Sequence, residues 1–412
     1  MKAALAAVLA VAACAAQAEP DEARLGKDLG YPVGTRETWY ANPYRVGSWS
    51  ALDQVRGVLV RRVAASAQPM PLPPMASPPA IRYRYRNIGY SLDEYLERQR
   101  TTGLIVLKDG QVVAEHYRYG RRPDARFLSF SMAKSVVSLL VGIANARGDI
   151  ASLDDPAQRY VKDLEGTAYG ATTIRQLLRM SSGLTFTERY DGTDDIARLS
   201  YAFANNPRGS IDVLRGISDR HSPAGEKFVY ASAETDVLGR VVAGATGRSV
   251  GELTQDWLWK PMGAEHEAFW RIGRDGQEGH HGYFNATLRD WARLGLLLAH
   301  DGQANGRQVV PRDYLMDATD VKRQPAAFQP GRATPYWGYG YQFWLAPMRE
   351  RTFALQGVHG QTVYVQPGTG IVLVLTSVWE QASGRQDPQP YEEREALWRG
   401  VLQSLGGRPE RN

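Results

Sequence analysis

The chain has one cysteine, Cys14, and it lies close to the N-terminus. A disulfide framework is therefore excluded, and stability has to come from a buried core. Beyond the first residues no apolar run approaches the roughly 20 residues that cross a bilayer. There is no clustered basic stripe either. The formal charge of +5 comes from arginines dispersed among acids, the pattern of a solvated surface, and no nucleic-acid partner is expected. A G-x-S-x-G elbow is missing. His266-Glu267 lacks the second histidine of H-E-x-x-H, and His280-His281 sits in a glycine-rich loop. Both read as surface features, and neither a metal nor a cofactor is expected.

What is present has the balance of a soluble globular protein, with 43% hydrophobic and 23% charged residues in 412. Lys2 followed by the apolar run Ala3 to Ala13 reads as a secretory signal peptide over residues 1–18, cut after Ala16-Gln17-Ala18. Val11-Ala12-Ala13-Cys14 offers the alternative of a lipoprotein box, with a lipid anchor at Cys14. Both predict an exported, periplasmic protein with no membrane span. Residues 19–80 read as an extension that packs on the main domain and ends in a linker holding Pro69, Pro71, Pro73, Pro74, Pro78 and Pro79. The folded unit is expected over 81–407.

Ser91 and Glu94 form a capping-box pattern ahead of a short helix. Gly103 to Leu107 and Gln111 to Tyr117 read as a hairpin turning at Asp109-Gly110. A buried helix is predicted from Ser131 to Ala146, since apolar residues occupy most of its circumference. Helical segments dominate from Thr173 to Ala299. Strands return at Tyr339–Leu345, Thr352–Gln356, Thr362–Gln366 and Ile371–Ser377, before a last helix from Glu392 to Leu405. Strands at both ends with helices between predict an α+β fold. Its antiparallel sheet would be built from N- and C-terminal segments, flanked by helices, with a helical region inserted.

Three places carry candidate chemistry. Ser131-Met132-Ala133-Lys134 puts a hydroxyl and an amine on one face at a helix start, where spare N–H groups can hold an oxyanion. Lysine is scarce here, and no other serine has a lysine three residues on. Tyr230-Ala231-Ser232 precedes another helix, and a phenol beside a cation can serve as a general base if its pKa falls. Gly357-Val358-His359-Gly360-Gln361 lies between two strands, where glycines allow close backbone approach. The plainer readings are a snorkelling Lys134, a Ser232 that only caps its helix, and a bulge at the glycines. Asp191, Asp194 and Asp195 read as solvated loop acids.

In this order and spacing the three elements resemble the serine beta-lactamase and penicillin-binding-protein superfamily. Leu177-Leu178-Arg179-Met180-Ser181-Ser182-Gly183-Leu184 adds to the likeness, with arginine where the family often has histidine. The closer resemblance is to 6-aminohexanoate-dimer hydrolases and class C-type esterases, carried also by Gly338-Tyr339-Gly340-Tyr341-Gln342-Phe343-Trp344. The resemblance implies a three-layer α/β/α fold, Ser131 as acylated nucleophile, Lys134 as its partner and Tyr230 as proton shuttle. It implies an oxyanion hole from the N–H of Ser131 and that of Val358, or of Gln361 if the family's final glycine matches Gly360. Ser232, His359 and Gly360 would adjoin the substrate, with a backbone-spacing role as the alternative for His359. Ser232 stands where the lactamases carry asparagine, and no K-T-G is present, so weak or absent beta-lactamase activity is expected. The function implied is hydrolysis of a small-molecule amide or ester. The alternatives are a D,D-peptidase or class C-like lactamase, and a binding protein without turnover.

Overall fold

The computed structural model describes residues 19–411; the segment expected to be a signal peptide, with its candidate cleavage sites and Cys14, lies outside them. Among the described residues no helix is long and apolar enough to cross a membrane. The centre of the molecule is a seven-stranded antiparallel sheet. In spatial order its strands are Gly338–Tyr339, Trp344–Leu345, Phe353–Gly357, Gln361–Gln366, Ile371–Ser377, Thr101–Lys108 and Gln111–Tyr117. The N-terminal hairpin thus joins the C-terminal meander through one pairing, Leu373 opposite Val106 and Val374 opposite Ile105.

Two-residue alternation builds the layers on this sheet. Ile105, Leu107, Val363, Val365, Val372 and Val374 face the core that contains the helices Met132–Arg147 and Leu288–Ala299. Leu104, Val106, Tyr364, Leu373 and Leu375 face the other way, onto Leu397, Trp398 and Val401 of the helix Gln389–Ser404. Both faces are covered, so the middles of the central strands, Leu104–Leu107, Val363–Val365 and Ile371–Leu375, are apolar on successive residues while the alternation still separates the two cores. This is the predicted α+β architecture. The helix Met132–Arg147 buries thirteen of its sixteen residues and packs on the helix Ser232–Thr246, as its all-round apolar surface requires.

Two parts differ from the sequence reading. Tyr339 to Leu345 is not one strand: it breaks into two short strands around Gln342, whose φ of 63° reverses the chain. The buried Gln342 amide bonds the carbonyls of Leu177 and Leu178, contacts that local propensity does not encode. A second sheet was also invisible in the sequence, with Leu59–Val63, Ala268–Ile272, Phe284–Thr287 and Arg126–Leu128 in that order. Through it, residues of the N-terminal extension pair directly with the centre of the chain. Its last strand delivers the chain to Ser129, whose N–H bonds the Phe284 carbonyl at 2.8 Å. Farther along, the proline-rich segment runs beside the hairpin edge, where the N–H of Val112 bonds Pro73 and that of Met75 bonds Val112.

Trp398 is fully buried and stacks on Tyr364 with centroids 5.1 Å apart. Trp398→Ala is expected to cost about 3–5 kcal/mol of unfolding free energy, read from urea denaturation. A loss under about 1 kcal/mol would show that the terminal helix does not depend on this ring.

Candidate active site

The turn into the helix Met132–Arg147 is built around Phe130, which has a φ of 43°, rare for a bulky residue. Ser129 Oγ donates to the Phe130 carbonyl at 2.8 Å and the Ala133 N–H bonds the same oxygen. These bonds hold a conformation that otherwise costs about 1–3 kcal/mol. Ser131 follows with φ −66° and no cap bond of its own, so its hydroxyl is left for the cleft.

Lys134 is 1% exposed. Its Nζ lies 2.9 Å from Ser131 Oγ and 2.7 Å from the His281 carbonyl, both as donor contacts. Burial disfavours the ammonium and brings its pKa down to about 8, with Glu188 opposing the shift. Near neutrality both protonation states are therefore accessible. In the amine form Nζ keeps its N–H for His281 and offers a lone pair to the serine proton.

Tyr230 borders the larger cavity together with Ser131, and Lys134 Nζ sits 5.1 Å above its ring centroid. The ring stacks on Trp344 and meets Tyr339 edge-on. The idea that the lysine lowers the phenol's pKa does not hold. Burial first, and the Glu188 charge second, push it well above 10, so the phenol keeps its proton and can donate it. Of the two groups, the lysine is the better base.

Ser131 lies at the junction of two cavities, of about 300 Å³ and about 580 Å³, that share Ser131, Glu188, Tyr190 and Val358 in their walls. The smaller is faced by Trp39, Tyr40, Phe130, Ile196 and Tyr283. The larger carries Tyr230, Phe228, Trp344, Gln356 and Arg385. Val358 comes close to the serine because Gly357 lacks a side chain: a Cβ there would stand 2.4 Å from the Ser129 carbonyl oxygen.

The remaining sequence candidates sit apart from the open cleft or are already engaged. Ser232 lines the smaller cavity, but its N–H and Oγ both donate to Glu188, at 2.8 and 2.9 Å. His359 is 2% exposed and holds the Trp379 carbonyl through Nδ1 at 2.7 Å. Gly360 packs against Trp379. Gln361 Nε2 bonds the carbonyls of Ser377 and His359 at 2.7 and 3.2 Å, which shapes the turn after Val358. Arg179 packs over Phe328 and Tyr341.

Several loop readings are corrected. His280 and His281 are buried, not surface features. The His280 ring bonds Asp236 at 3.0 Å and fixes the loop that offers the His281 carbonyl to Lys134. Asp194 is 4% exposed and accepts from the N–H groups of Arg189, Tyr190 and Ala197. Asp195 accepts from Thr187, whereas Asp191 is exposed, as read from the sequence, and accepts from Thr193 and Arg189. Of the three, Asp194 lines the smaller cavity. Glu188, which also accepts from Tyr190 Oη at 2.7 Å, was missed because nothing in Thr187-Glu188-Arg189 marks it. Trp39 and Tyr40 were missed because they precede every motif by some ninety residues.

The beta-lactamase family profile matches residues 91–397. The chain belongs to the beta-lactamase family. It is 28% identical over 372 residues to the 6-aminohexanoate-dimer hydrolase of Paenarthrobacter ureafaciens, covering 87% of this chain and 91% of that one. A solved structure of a Bacillus anthracis protein, provisionally named 6-aminohexanoate-dimer hydrolase, superposes with a TM-score of 0.77 at 24% identity, over 90% and 96% of the two chains. EstCE1, a hydrolase with promiscuous acyltransferase activity, gives 0.57 at 16%, over 74% and 96%. At these identities the two structures show a shared fold.

Gly357→Ala should displace the strand from the serine turn, because its new methyl meets backbone that cannot rotate away. A destabilisation of about 1–3 kcal/mol is expected, with a larger proportional loss of any turnover at Ser131. An alanine variant with unchanged stability and activity would show that the close approach is dispensable.

Proposed function

We propose that this member of the beta-lactamase family is a serine hydrolase that cleaves a small linear amide or ester through an acyl-enzyme on Ser131. The observation that carries the reading is Ser131 Oγ, 2.9 Å from a buried lysine, at the junction of two cavities. Neutral Lys134 takes the serine proton as Oγ attacks the substrate carbonyl. The backbone N–H groups of Ser131 and Val358 receive the oxyanion. Tyr230 gives its proton to the departing nitrogen or oxygen and is reprotonated from the Lys134 ammonium. Water then attacks the acyl-enzyme, losing its proton through the same pair, and Ser131 regains its own.

Tyr230 faces only the larger cavity, so the leaving group departs there and the acyl part occupies the smaller, aromatic one. The 6-aminohexanoate dimer that names the Paenarthrobacter relative is the kind of linear amide this division suits. Beta-lactams suit it less. Ser232 is committed to Glu188, and Val358-His359-Gly360 supplies no lysine to meet their carboxylate. The N-terminal run Ala3 to Ala13 supports an exported, periplasmic form.

A fluorophosphonate probe and a p-nitrophenyl ester test the reading. Labelling and turnover are expected in the wild type and absent in Ser131→Ala. Full labelling of that variant would remove the nucleophile assignment. Lys134→Ala and Tyr230→Phe should each lower kcat by about 10²-fold or more. The log of kcat/KM should rise with pH and level off above about 8, because below that value Lys134 is protonated and cannot accept the serine proton. A profile flat from pH 6 to 9 would argue against lysine as base. Nitrocefin turnover should fall far below the roughly 10² per second of an efficient enzyme; reaching that rate would overturn the substrate reading.

A further inference from the structure

The two backbone donors proposed for the oxyanion come from segments more than two hundred residues apart, and each adjoins an aromatic ring. Phe130 precedes Ser131, and His359 follows Val358. Both neighbours have positive φ, 43° and 59°, so neither peptide is held by local preference. The rings of Phe130 and His359 meet at 5.5 Å between centroids. Around them close two more rings from the N-terminal segment, Tyr40 and Trp49.

All six pairs in this foursome are in contact. Trp49 lies 4.9 Å from both Phe130 and His359. Tyr40 lies 5.2 Å from His359, 5.4 Å from Trp49 and 6.1 Å from Phe130. Tyr40 Oη donates to His359 Nε2, while Nδ1 on the same ring donates to the Trp379 carbonyl. Burial holds the imidazole neutral, with its pKa down at about 3. It can therefore accept at one nitrogen and donate at the other, as this chain of bonds requires. Residues 40 and 49 precede the part of the chain that the family profile matches, which begins at 91.

We propose that Tyr40 and Trp49 are positioning residues that fix the mutual orientation of the Ser131 and Val358 N–H groups by clasping the flanking Phe130 and His359 rings. This rests on the acyl-enzyme reading given above. An oxyanion hole acts through donors set in place before the charge develops, and a small misplacement of such groups is costly in rate. The clasp joins the two peptides through rings that do not themselves touch the oxyanion. It also gives the N-terminal segment a part in the chemistry that differs from forming a cavity wall.

Tyr40→Phe isolates the clasp from the wall, since the ring stays and only the hydroxyl is lost. With a p-nitrophenyl ester and active sites counted by fluorophosphonate titration, kcat should fall about tenfold, with KM changed less than about twofold. The affinity of an aryl boronic acid, whose tetrahedral adduct on Ser131 mimics the oxyanion, should fall by a similar factor. Trp49→Phe, which keeps an aromatic ring in place, should show the same split to a smaller degree. Unchanged kcat and boronate affinity in Tyr40→Phe would overturn the proposal, as would a raised KM with kcat unaltered, which marks a wall residue. Ser131→Ala in the same assay separates the two levels. Turnover lost in that variant but intact in Tyr40→Phe removes the clasp alone; turnover intact in both removes the acyl-enzyme reading and the clasp with it.

Discussion

Burial of one amine is the constraint around which the rest of the structure is arranged. Taking an ammonium out of water costs several kcal/mol even after relaxation, and Lys134 lies almost wholly inside. Its few polar partners must therefore be held firmly. The His281 carbonyl is one, and it is fixed from behind. His280 bonds Asp236, Asp236 accepts from Ser210 and lies beside Arg240, and Arg240 pairs with Asp275 at 2.9 Å. A buried polar network of this kind earns its place only when its members are largely satisfied. It turns a glycine-rich loop into a rigid acceptor.

The same desolvation sorts the two titratable groups beside the serine. Burial drives a lysine toward neutrality and a tyrosine toward retaining its proton. In the reading proposed above, this packing favours Lys134 as the acceptor and Tyr230 as the donor. Glu188 acts on both in one direction, favouring the ammonium and the protonated phenol. Ser232 and Tyr190 hold its carboxylate in place. The position of that loop acid tunes how readily the pair exchanges a proton.

What the sequence made legible was local or periodic. Ser131 and Lys134 share a helix face whatever surrounds them, and strand-like runs at both ends of the chain announce one antiparallel sheet built from distant segments. What escaped depends on partners distant in the chain. Leu59–Val63 is a strand only because Ala268–Ile272 lies beside it. The upward Tyr230 shift comes first from burial by distant parts of the chain and then from a carboxylate forty-two residues earlier. His280 and His281 looked like surface residues because what buries them, Asp236 against the His280 ring included, lies elsewhere in the chain. The reversal at Gln342 uses a non-glycine residue at positive φ, so no turn signal marks it. His359 lies in a motif that pointed toward substrate, yet its ring is taken by Tyr40 and Trp379.

The single pairing that joins the two halves of the central sheet has a consequence for how the chain comes together. Thr101–Lys108 meets its neighbour only when Ile371–Ser377 exists, so the first hairpin emerges from synthesis with its inner edge unpaired. Closing a loop of more than 250 residues adds little to the entropic cost beyond that of a shorter one, since the cost grows only with the logarithm of length. Yet contacts this distant in sequence make for slow folding, and an apolar strand edge is a template for pairing with other chains. The proline-rich segment alongside Gln111–Tyr117 covers the opposite edge of that hairpin. One flank of the early hairpin is thus shielded by chain already made, and the other waits for the C-terminus.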